Sequence, residues 1–193
     1  MKIGRLILRL VIGGYFFGHG TQKLFGWFGG YGPEGTGQFF ESLGLRPGKR
    51  HAIAAGAAEA GGGALLIAGA ATPVAATVLT STMLTAINRV HLKNGPWVTN
   101  QGYEYNVVLI AAVLALAETG PGSPSLDSAV GARWHGPKWA VRALLAGVAG
   151  AVGAHAIAEM APSAPEPAPE PEQAGGPAPG AEAAATPAAA DAS

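Results

Sequence analysis

Long apolar stretches, broken at intervals by polar clusters, dominate the first 160 residues of this chain. A bilayer core about 30 Å thick calls for roughly 20 mostly apolar residues in a spanning helix. Ile3–Phe28 is the first candidate, ending in Lys23, Phe25 and Trp27. It is longer than a secretory signal's apolar region and lacks a small-residue cleavage site, so it reads as a retained helix. Ala52–Ala71 is the second, and Thr72-Pro73 turns the chain into the third, Pro73–Val90. Proline is tolerated in a first helical turn. Gly102–Ala117 is the fourth, closed by Glu118 and the breaker "TGPGSP", and Trp139–Met160 is the fifth. Lipid satisfies no backbone hydrogen bonds, so the fold class predicted is an all-α integral membrane helical bundle.

Shorter patterns fill in the connections. "GTGQFFESLGL" (35–45) predicts an interfacial helix capped by Thr36, with Phe39, Phe40 and Leu43 on one face. Gly56, Ala60, Ala64 and Ala68 recur every four residues, and Gly14 and Gly18 repeat the spacing in the first helix. Such small-residue stripes permit close helix approach. From Ala161 the chain holds eight prolines among 33 residues, which predicts a disordered or polyproline-like tail outside the fold.

Composition agrees with the bilayer reading. Only 12% of residues are charged, against roughly 25% in soluble domains. The zero net charge conceals a division: residues 1–160 carry all 12 Lys and Arg against seven acids, a balance of +5. The tail carries five acids and no base, a balance of −5. The absence of cysteine excludes disulfides, thiol catalysis and cysteine-ligated clusters in the chain. No paired intramembrane histidines, Walker loop, dinucleotide fingerprint or exposed basic stripe is present, so no metal and no nucleic acid is expected. Basic residues divide six against six between the two sides. Lys2, Arg5 and Arg9 at the first helix then favour a cytoplasmic N-terminus, with the tail outside the plasma membrane.

The polar residues within the helices are the candidate chemistry. At 100° per residue, Arg5, Arg9, His19 and Lys23 fall within a stripe about 80° wide, which must face protein because charge in lipid costs several kcal/mol. Glu59 is the acid deep in another helix. At 1.5 Å per residue His19 lies about 9 Å and Glu59 about 10.5 Å from the outer ends, so an antiparallel pair would set them level. Arg89 and Glu104 flank one loop and could pair; Glu118 should lie near Arg5 and Arg9; His135 and His155 read as isolated. An outer-half pocket among four helices is expected.

"GHGTQKLFGWFGGYG", "GTGQFFESLGL", "EAGGGALLIAG", "HLKNGPWVTNQGYEYNVVLIAAVLAL" and "GPGSPSLD" together resemble the DoxX family of small four-helix membrane proteins. The resemblance covers about Arg5–Asp127 and implies a four-helix transmembrane core over 1–127. A loop and fifth transmembrane helix (128–160) and the acidic Pro/Ala-rich tail (161–193) would lie beyond it. Relatives are subunits of thiosulfate:quinone oxidoreductase, and mycobacterial relatives are linked to complexes handling oxidative and thiol stress. Carried over by position, the pocket candidates are His19, Lys23, Glu59, His91, Asn94, Tyr103 and Glu104, to which the residue reading adds Arg89. Ser123 stands where a basic residue is expected in relatives, which weakens an anion contact there.

Three functions compete at this level. A membrane subunit of a quinone-linked oxidoreductase would bind quinone in the pocket and take electrons from a soluble or membrane redox partner. A non-enzymatic scaffold would recruit such enzymes, with the tail as an arm or spacer. A small transporter or proton relay would use Glu59 and His19, although no inverted repeat is evident.

Overall fold

The computed structural model describes residues 3–161, which are helical throughout their regular structure. Seven α-helices follow in order: α1 Ile3–Phe25, α2 Gly32–Ser42, α3 Gly48–Ala68, α4 Thr72–Ala86, α5 Glu104–Thr119, α6 Leu126–Ala129 and α7 Pro137–Met160. A π-helical turn, Ile87–His91, prolongs α4. The tail expectation falls outside the described residues.

Local chemistry accounts for the boundaries. Gly26, in the left-handed region at φ 70°, ends α1. α2 begins at Gly32-Pro33, upstream of the predicted start, because proline fits the first turn; Thr36 is therefore buried within the helix and does not cap it. α3 begins at Gly48 and ends at Gly69, another left-handed glycine. Asp127 completes the following turn. Its buried carboxylate accepts from the amides of Ala71 at 2.9 Å and Thr72 at 3.5 Å, supplying from across the fold the cap that α4 lacks locally.

α1 packs mainly on α3, and α4 packs on α7 and α5. The core is built from Ile12, Phe16, Leu66, Ala76, Leu79, Met83, Val113 and Leu116. The α1–α3 seam uses Gly56 and Ala60 of the expected stripe on α3, but on α1 it uses Gly13 and Gly20 in place of Gly14 and Gly18. A Cβ at Gly13 would meet Gly63 and Ile67, and one at Gly20 would overlap Ala60 and Gly56. Gly14 and Gly18 face open space. The seam residues are seven apart on each helix, two turns, which keeps them on one side of an antiparallel pair.

Arg5 and Arg9 hold the opposite end together by hydrogen bonds to carbonyls, with Asp127 the nearby negative charge for Arg9. Arg5 donates to the carbonyls of Thr119 and Gly120; Arg9 donates to Pro121 at 2.9 Å and Pro124 at 2.7 Å. The carbonyls of the breaker loop, and not Glu118, are their hydrogen-bond partners.

α3 and α7 are each long and apolar enough to cross a membrane. Large apolar side chains lie exposed on several helices: Ile7 and Val11 on α1, Val107 and Val108 on α5, Leu145, Val148 and Val152 on α7. A water-facing surface rarely carries so much apolar area.

Candidate functional site

A cavity of about 620 Å³ opens between α1, α2, α3, α4, α5 and α7. Its volume falls within the roughly 300–1,000 Å³ usual for small-molecule sites. Phe16, Leu45, Val78 and Leu109 line it with apolar surface, and His19, Lys23, Glu59, Arg89 and Asn106 add polar groups.

The glycine seam positions its central pair. Lys23 follows Gly20 by one turn of α1, and Glu59 follows Gly56 by one turn of α3. Because the backbones touch at those glycines, the two side chains meet: Lys23 Nζ donates to Glu59 Oε2 at 2.5 Å. The Glu59 side chain is 7% exposed and that of Lys23 21%, so water screens the pair weakly. The expected His19–Glu59 pairing is not formed. His19 Nδ1 lies 2.9 Å from Gln22 Oε1 on its own helix, and its carbonyl receives a long 3.5 Å contact from Lys23. Lys23, one turn later on α1, reaches Glu59 on α3, while His19 is left exposed at the cavity edge.

His19, Lys23, Glu59, Arg89 and His91 line the cavity; Asn94, Tyr103 and Glu104 do not. Asn94 and Tyr103 belong to the connection from α4 to α5, and Glu104 opens α5. Asn94 Nδ2 and His91 Nδ1 both donate to the Gln101 carbonyl, at 3.2 and 2.8 Å. The amides of Tyr103 and Glu104 donate to Gly95 and Pro96. Arg89 does not pair with Glu104. Its Nη1 makes one 3.5 Å contact with the Leu43 carbonyl at the end of α2.

Other residues emerge only from the assembled fold. Asn106 is buried in α5 at the cavity wall, and its Nδ2 has the Met83 thioether, a weak acceptor, at 3.4 Å. It immediately precedes the apolar run "VVLIAAVLALA" in the first turn of α5, so a search for amides bordering apolar runs would have found it. Tyr15 joins the lining one turn before His19. His155 is not isolated: its ring nitrogens lie 2.8 Å from Asn88 Oδ1 and 2.6 Å from the Ala151 carbonyl, tying α7 to the π turn. Ala146, Gly150 and Ala154 make α7 a wall of the cavity as well as a candidate membrane span.

Comparison with known proteins adds the following. The DoxX family model matches residues 4–92. Over 126 residues the chain is 38% identical to a Bacillus subtilis (strain 168) protein named "Putative oxidoreductase CatD", an alignment covering 65% of this chain and 86% of that relative. No solved structure matches the chain.

Proposed function

This chain belongs to the DoxX family of membrane proteins, and from that premise we propose that it is a multi-pass plasma-membrane component of a redox system whose cavity holds a quinone headgroup. One observation supports the reading above others. The cavity joins an apolar slot to hydrogen-bond donors, Lys23 and Asn106, that are buried or half-buried and incompletely satisfied.

A quinone headgroup asks for those features: flat apolar walls and donors to its carbonyl oxygens. Lys23 and Asn106 would hold the carbonyls, and Glu59 would orient Lys23 through the ion pair. Phe16, Val78 and Leu109 would exclude water from the ring. Bound there, a quinone supplies an acceptor for two electrons and two protons. The electrons would come from a partner redox protein, because the chain has no cysteine for an iron–sulfur cluster or thiol relay. The relative's name, an oxidoreductase, points the same way.

The test is extraction of bound lipids from protein purified in mild detergent, with quinone assayed by mass spectrometry. Near-stoichiometric quinone in the wild type, lost from Glu59→Gln and reduced in His19→Phe, is the expected result. A wild type free of quinone, with both variants purifying normally, would replace this reading by that of a scaffold whose ion pair is structural.

A further inference from the structure

Arg89 is the cation of this cavity that lacks a counter-charge. Among the described residues the ion pairs are Lys23–Glu59 and Lys49–Glu34, so the carboxylate in the cavity wall is already engaged by Lys23. A guanidinium carries five N–H donors. Arg89 uses one, in the 3.5 Å contact to Leu43, while its Nε is buried with no partner at all. Arg5 and Arg9 share the unpartnered Nε, but each also donates to two loop carbonyls, whereas Arg89 has the one long contact.

The surroundings of Arg89 are built to admit a group from the cavity. It sits in the π turn prolonging α4, a distortion that re-aims side chains relative to a regular helix. Opposite it, α2 ends at Leu43 and turns through Gly44 at φ 77°; a Cβ on Gly44 would come within 3.5 Å of Arg89 Nη1. His51 and His91 line the same cavity, and the acid of its lining, Glu59, is engaged by Lys23. Phe40, Met83 and Val78, with Ala146 of α7, add apolar surface to the same cavity.

We propose that Arg89 is an anion-binding residue and that the cavity takes an amphiphile with an anionic head, a carboxylate or phosphate, and a single apolar tail. The head pairs with the free edge of the guanidinium, which presents two parallel N–H donors to a carboxylate or phosphate. The tail lies along the α4–α7 wall. This goes beyond the quinone reading, because it concerns Arg89 and a charge that a neutral quinone carbonyl would not neutralise.

The experiment is equilibrium binding of radiolabelled laurate and dodecanol, equal in tail and different in charge, to the full chain in an uncharged detergent. The wild type should bind laurate at least tenfold more tightly than dodecanol. Arg89→Gln should abolish that preference with dodecanol binding unchanged, and Arg89→Lys should retain part of it. Acetate and inorganic phosphate identify the source of the anion. Weak binding of both supports a lipid-borne head; binding as tight as that of laurate, with the same Arg89 dependence, overturns the tail and leaves a site for free anions. Equal affinities for laurate and dodecanol in the wild type, or a preference that survives in Arg89→Gln, would overturn the proposal. Should Arg89→Gln fail to fold, the wild-type comparison and Arg89→Lys still decide it. Quinone extraction reads out separately, so either result can fail without the other.

Discussion

Lys23 Nζ and Glu59 Oε2 meet at 2.5 Å across the seam between the first and third helices, one helical turn beyond the Gly20–Gly56 contact. The relationship is set by backbone approach as much as by charge. A larger residue at either glycine would push the helices apart and separate the pair.

A double-mutant cycle should expose this coupling. Lys23→Met or Glu59→Gln alone leaves one ionisable group facing the cavity without its partner, and each should cost stability toward the low end of the ~3–5 kcal/mol typical of breaking a buried pair. The low end applies because Lys23 remains partly exposed. The double variant should recover most of the loss. Thermal unfolding in detergent gives all four values, and strictly additive losses would show that the two residues are independent.

Glycine-to-alanine changes in α1 should have opposite signs. Gly14→Ala and Gly18→Ala face open space and should gain up to about 1 kcal/mol of helix propensity. Gly20→Ala, whose Cβ would overlap Ala60 and Gly56, should lose about 1–3 kcal/mol through overpacking. Equal effects at Gly14 and Gly20 in the same unfolding assay would contradict the seam described here.

Asp127→Ala should loosen the start of α4. It removes the acceptor for the Ala71 and Thr72 amides and leaves those donors buried, at a cost of about 1–2 kcal/mol. Hydrogen exchange should speed up at Ala71 and Thr72 and remain slow at the middle of α4. Unchanged protection at those amides would argue against the cap.

Filling the cavity should separate occupancy from stability. Ala146 lines the cavity from α7, and Ala146→Phe should exclude a bound lipid or quinone with little change in thermal midpoint. Mass spectrometry of co-purified small molecules provides the readout. Full occupancy in this variant would mean that the ligand binds elsewhere.

Sequence alone determined the all-helical class, the family and the neighbourhood of the site. Apolar run length sets where helices form because lipid leaves the backbone no other way to satisfy its hydrogen bonds. Polar residues stranded in those runs, Lys23 and Glu59 among them, were visible because their burial requires partners. Partner choice was decided only in the tertiary structure. His19 and Lys23 share a stripe one turn apart, and the packing of α1 on α3 at their glycine contacts selected Lys23 for Glu59. The same holds for Arg5 and Arg9, whose partners are loop carbonyls that composition does not reveal, and for α7, whose small residues became a cavity wall. Hydropathy and spacing are properties of one element at a time, whereas a pair or a cavity depends on how two elements rotate against each other, and that rotation comes from side-chain packing across the seam.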